Sequence, residues 1–121
     1  MRRHPIGWPV VEAKDIRELV RFAEDAPNRR TLFESVRLWS EVVCLQGNQR
    51  LGPMADPASD AIVAVVAGEV AAQVGKDRKR MKQWESALVP ATMELSLANA
   101  SEEPSVVLIV AAPPPASTEI A

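Results

Sequence analysis

Apolar positions along the chain follow two different rhythms. Between Asp15 and Pro27, the residues Ile16, Leu19, Val20 and Ala23 recur at i, i+3, i+4 and i+7, one stripe along a helix. Asp15 and Glu18 have capping-box spacing, with Asp in the N-cap place of Ser or Thr. Pro27 closes the segment, because proline cannot donate the helical hydrogen bond and restricts the residue before it. The pattern predicts a helix of about a dozen residues. Such a helix is marginal alone, so its stripe must lie on a sheet or on a partner subunit. The residues ahead of it carry Pro5, Gly7 and Pro9 and read as an irregular arm.

From Arg29 onward short β runs are cut by turn signals. Thr31–Glu34 and Val36–Gln46 precede the turn Gly47-Asn48-Gln49, and Arg50 and Leu51 lead into a loop with Gly52, Pro53, Asp56, Pro57 and Ser59. Ala61–Val66 is apolar on both faces, so its outer side needs a cover. In Glu69–Val74 the residues Val70, Ala72 and Val74 alternate with Glu69, Ala71 and Gln73, the period of a half-buried strand. Gly75-Lys76-Asp77 turns the chain into Arg78–Gln83; Ala87–Val89, Met93–Ala98 and Ser105–Ala112 complete the set. About seven or eight short strands at this spacing describe an all-β sandwich or barrel. The pattern alone does not choose among such folds.

Composition narrows the class further. The 121 residues suit one domain. Its interior must be mainly aliphatic, since the only aromatics are Trp8, Phe22, Phe33, Trp39 and Trp84. A formal charge of −2 gives no long-range pull toward nucleic acid or an anionic membrane. Cys44 is the single cysteine and can form no internal disulfide, which favours a cytoplasmic setting. No leader-like segment opens the chain, and no apolar run is long enough to span a bilayer.

Two stretches carry a resemblance. GNQRLGPMADPASDAIVAVVAG, from Gly47 to Gly68, and WESALVPATMELSLAN, from Trp84 to Asn99, resemble the two conserved blocks of the cupins. Gly47, Gly68, Pro90 and Asn99 fall where that pattern places them, and the resemblance spans Val36 to Pro113, about two-thirds of the chain. It implies an all-β, cupin-type double-stranded β-helix, a jelly-roll barrel, here with an N-terminal α-helix. The organisation expected is an arm and helix over 1–28, a barrel over 29–113 and a disordered tail over 114–121. Cupins are usually dimeric, with a ligand cavity at the barrel mouth, so a homodimer is expected. In the family two histidines, a glutamate and a third histidine converge there on a metal ion. The matching positions of this sequence are Met54, Asp56, Ala61 and Leu95. Trp84 stands in one glycine slot of the motif and Thr92 in another.

That substitution removes the chemistry. Asp56 could serve a hard or borderline metal and Met54 suits only a soft one, while Ala61 and Leu95 offer nothing. A catalytic metal needs about three protein ligands. Met93, Leu95 and Leu97 share one strand face, which directs Leu95 inward and predicts an apolar pocket lined by Met54, Asp56, Ala61 and Leu95. Asp56 and, still more, Asp60 read rather as loop aspartates capping backbone amides, and Met54 equally as core filler. Cys44 reads as inert packing, because His4, the one histidine, lies in the arm. Lys76 to Lys82 is a basic run on a predicted hairpin, where charge blunts an edge strand; without a stacking platform it does not indicate nucleic acid. Trp39 and Trp84 read as core or interface anchors.

The function expected is a metal-free, non-enzymatic domain without cofactor, which binds a small apolar molecule or serves as a dimeric assembly module. The alternative is a cupin enzyme of dioxygenase or isomerase type, with a rearranged metal site drawn from Asp56, Asp60, Glu41 or Glu94. A third reading is a subunit that regulates a metal-bearing partner.

Overall fold

The computed structural model describes residues 11–116. The arm up to residue 10, with His4 and Trp8, and the tail residues 117–121 lie outside them. Among the described residues nine strands form two antiparallel sheets. The strands are β1 (Asn28–Glu34), β2 (Trp39–Leu45), β3 (Arg50–Met54), β4 (Asp60–Ala67), β5 (Glu69–Val74), β6 (Asp77–Lys82), β7 (Ser86–Val89), β8 (Leu95–Ala98) and β9 (Ser105–Ala112). The larger sheet runs β1-β2-β9-β4-β7 and the smaller β3-β8-β5-β6.

Alternation along the strands explains the packing. Trp39, Val43 and Leu45 of β2 point between the sheets, where they meet Val63, Val65, Val70, Leu97, Val107 and Ile109 in the main core. Val42 and Cys44 point the other way and join Leu32 and Val106 in a second cluster on the outer face of the larger sheet. β2 is therefore buried at every position. In β6 only Met81 is buried, and the basic side chains stay in solvent on an edge strand, with Arg80 donating to Glu69 at 2.8 Å.

The second cluster needs a cover, and the N-terminal segment supplies it without the predicted helix. Asp15 does act as an N-cap, accepting from the Arg17 amide, but it caps only a single 3-10 turn, Ile16–Leu19, and Val20 is already extended. Ile16, Leu19 and Val20 still pack on the cluster. Tertiary hydrogen bonds take the carbonyls that a helix would need. Asn28 Nδ2 donates to the Arg21 carbonyl and Gln49 Nε2 to that of Ala23. A dozen-residue helix has little intrinsic stability to set against such bonds.

Several strand limits also differ from the sequence pattern, two of them for clear local reasons. β2 starts at Trp39 because Ser35 to Leu38 is a turn, in which the Ser35 hydroxyl accepts from the amides of Arg37 and Leu38. The loop expected after Leu51 contains β3, which pairs with β8 through an irregular register. Pro53 is tolerated there because β3 is an edge strand.

The frame residues close one end of the barrel. Asn99 is buried; its Nδ2 donates to the carbonyls of Leu45 and Glu103, and its Oδ1 accepts from the Ser101 amide and hydroxyl. Its main chain exchanges hydrogen bonds with Asn48 and Gln49 in the β2–β3 turn. Backbone approaches closely here. A Cβ on Gly47 would lie 2.7 Å from the Ser101 carbonyl oxygen, and one on Gly68, at φ +73°, would lie 2.5 Å from that of Pro104.

Trp84 and Thr92 keep the glycine conformation without the glycine. Each has φ 75°, in the left-handed region that is costly for residues bearing a Cβ and most costly for a β-branched one. Both lie in turns outside the strands, with the Trp84 amide donating to the Val65 carbonyl and that of Thr92 to the Asp56 carbonyl. Trp84 is 78% exposed, so its indole contributes little packing. Trp84→Gly and Thr92→Gly are each expected to stabilise the fold by about 0.5–1 kcal/mol, relief of backbone strain exceeding the added freedom of the unfolded chain. Denaturant midpoints of the two variants check this; a lower midpoint for both would show that the side chains do more than occupy the turn.

Candidate functional site

A cavity opens at the opposite end of the barrel from the Asn99 clamp. The two sheets place all four predicted residues on its wall: Met54 at the end of β3, Asp56 in the following loop, Ala61 on β4 and Leu95 on β8. Leu95 is 3% exposed and packs in the main core, where Met54 and Ala61 join it from the rim. The space enclosed is about 70 Å³, bounded mainly by apolar atoms. It is roughly half the size of an engineered 150 Å³ cavity that holds benzene, so a ligand here would leave part of itself at the mouth.

Asp56 is a cap. Its Oδ1 accepts from the amides of Ala58 and Ser59, at 2.8 and 2.9 Å, and its Oδ2 from that of Ala116 at 2.7 Å. These bonds, that from Ala116 foremost, hold its pKa below the ordinary 3.8. Together with the Ser59 hydroxyl, which donates to the Pro113 carbonyl, they tie residues 114–116 to the mouth, and Pro115 lines the cavity. The beginning of the segment expected to be a disordered tail is thus part of the site. Asp60 is likewise occupied, its Oδ1 accepting from the Ala91 amide.

The chemical group that the sequence reading passed over is a buried ion pair. Glu41 lies on the interior face of β2 between Trp39 and Val43, 2% exposed, and forms part of the cavity wall. Arg29 faces the same interior, opposite Val43. Its Nε donates to Glu41 Oε1 at 2.8 Å and its Nη2 to Oε2 at 2.6 Å, a two-pronged contact. Parity could have revealed it: Glu41 has the phase of Trp39, Val43 and Leu45, all core residues. A carboxylate in that phase must be buried, and a buried carboxylate needs a partner.

The metal that this fold family implies does not fit these residues. Of the four slots only Asp56 has a hard donor, and its oxygens are already hydrogen-bonded to three amides. Glu41 is paired with Arg29, Asp60 is tied to Ala91, and Glu94 is exposed and outside the cavity wall. Among the described residues no group of three His, Cys, Asp or Glu side chains could hold an ion.

Other sequence candidates lie apart from the cavity or within the core. Cys44 is fully buried in the second cluster, where burial pushes its thiol pKa up and away from reactivity. Trp39 is buried on the cavity wall, whereas Trp84 stands out from the β6–β7 turn. Among the described residues no helix is long and apolar enough to cross a membrane.

No family model and no curated protein matches the chain. Solved structures do match it. TT1209 from Thermus thermophilus superposes with a TM-score of 0.83 at 27% identity, over 87% of this chain and 100% of that one. A protein with a double-stranded β-helix domain from Klebsiella pneumoniae gives 0.80 at 20% identity, over 86% and 91% of the two chains. An RmlC-like cupin from Desulfovibrio desulfuricans gives 0.78 at 17%, over 87% and 99%. The two sheets described above are those of this barrel.

Leu95 tests the register of the site. Leu95→Asp would place an unpaired carboxylate in the core and is expected to destabilise the fold by about 3 kcal/mol or more. Thermal and denaturant unfolding measure it. A variant that melts like the parent would move position 95 to the outside of the barrel.

Proposed function

We propose that this chain, a cupin by fold, is a metal-free, non-enzymatic domain that binds a small apolar molecule at the barrel mouth. The observation that carries the reading is the set of side chains at the family's ligand positions. Three of them, Met54, Ala61 and Leu95, give the cavity apolar walls, and the fourth, Asp56, is consumed in holding the loop and residues 114–116. Apolar walls with few polar groups are the usual character of a small-molecule site. The reducing compartment expected for the free, buried Cys44 belongs to the same proposal.

A homodimer is proposed from a different face. On the outside of the larger sheet, Ile62 of β4 pairs with Leu88 of β7, and they are 50% and 65% exposed. The β1–β2–β9 half of that face is covered by Ile16, Leu19 and Val20, but this half is bare. Apolar neighbours left open on an otherwise covered face favour a second subunit as their cover.

Two measurements test these readings. Purified, untagged protein incubated with Fe, Mn, Ni, Zn and Cu salts and then desalted is expected to carry well under one metal per chain by elemental analysis. Near-stoichiometric retention would overturn the metal-free reading and return Asp56 to consideration as a ligand. Sedimentation velocity is expected to give a dimer for the parent and a folded monomer for Leu88→Glu; a monomeric parent would refute the dimer.

A further inference from the structure

The Arg29–Glu41 pair gives the cavity a chemical preference that its apolar walls do not. Arg29 and Glu41 compensate each other, and Asp56, the remaining charge of the lining, is turned to three backbone amides, so an anion or a cation entering beside the pair would be buried without a counter-charge of its own. A charged ligand is disfavoured on that ground. Hydrogen-bonding capacity, in contrast, remains. A carboxylate has about four lone-pair sites, and among the described residues Glu41 accepts only the two hydrogens of Arg29. Arg29 is engaged beyond Glu41 as well, and its guanidinium has donors and no acceptor. What Glu41 can still take is therefore a donor.

We infer that Glu41, held by Arg29, accepts a hydrogen bond from the ligand, and that the ligand is a neutral hydroxyl compound, an alcohol or phenol, with a short apolar body. The inference rests on the apolar-pocket reading above and narrows it. Glu41 acts as the orienting acceptor and Arg29 as the positioning residue that holds the buried carboxylate in place. The apolar body lies against Met54, Ala61 and Leu95, and the small enclosed volume leaves any larger portion at the mouth beside Pro115.

Four probes of nearly equal size separate this inference from the reading beneath it. They are isoamyl alcohol, methyl isobutyl ether, isoamylammonium and isovalerate, titrated at neutral pH into the full chain while the backbone amides of Ala61 and Leu95 are followed by NMR. The alcohol is expected to bind at least about tenfold more tightly than the ether, the worth of one hydrogen bond to a charged acceptor. It is also expected to bind more tightly than either ion. In the double variant Arg29→Met with Glu41→Leu, which replaces the pair with apolar side chains, alcohol and ether should bind alike. Should that variant fail to fold, Glu41→Gln with Arg29 retained must narrow the alcohol–ether ratio. Equal binding of alcohol and ether to the parent would overturn the role of Glu41 and leave the apolar pocket standing. Preference for isovalerate or isoamylammonium would overturn it too, by showing that net charge governs the site. If none of the four perturbs those amides, the pocket reading falls along with the inference.

Discussion

Strand β9 must be buried on both sides, and the arrangement of the rest follows from that requirement. It pairs with β2 along one edge and β4 along the other, at the centre of the larger sheet. One face, through Val107, Ile109 and Ala111, fills the space between the sheets; the other, through Val106 and Leu108, belongs to a second apolar cluster. A strand apolar on both faces demands a layer on each side. The smaller sheet is one layer and the N-terminal segment is part of the other. Where that segment stops, Ile62 and Leu88 are left in solvent, so the same demand motivates the proposed subunit contact.

The two ends of the barrel differ in how they use polar groups. At the Asn99 end, each polar atom of a buried amide finds a partner, and the result is a rigid closure between the β2–β3 turn and the loop before β9. At the mouth, Asp56 performs a similar tying role from the surface, which leaves the interior wall to apolar side chains and one ion pair. A buried ion pair is weak evidence for stability, since apolar residues of similar volume often do as well.

Backbone and side chains follow different constraints at the positions that carry the sequence resemblance. Trp84 and Thr92 adopt the left-handed backbone that favours glycine, and Gly68 combines that conformation with the close approach to Pro104. The strand pairings on either side of these turns fix their geometry, so the backbone carries the strain of a Cβ rather than shifting register. Side chains at the barrel mouth are under no such compulsion. Met54, Ala61 and Leu95 let the mouth pack as an extension of the core.

Turn signals, apolar runs and period-two alternation together were enough to place most strands, since β5 and β9 begin and end where the pattern places them and Leu95 and Leu97 point inward. Turn residues and motif spacing identified the barrel and brought Met54, Asp56, Ala61 and Leu95 to one wall. These features are local: each depends on residues within a few positions of one another. The N-terminal segment shows where local evidence fails. Its helical stripe and N-cap are real signals, yet side chains of Asn28 and Gln49 claim its carbonyls, and nothing in the segment itself records them. β3 likewise exists because β8 lies beside it. The pairing of Arg29 with Glu41, and the binding of Asp56 to Ala116 across sixty positions of chain, belong to the same class. Sequence determined which positions are apolar and where the chain turns; tertiary structure decided which polar groups meet, because a hydrogen bond or ion pair depends on distances that only the folded chain sets.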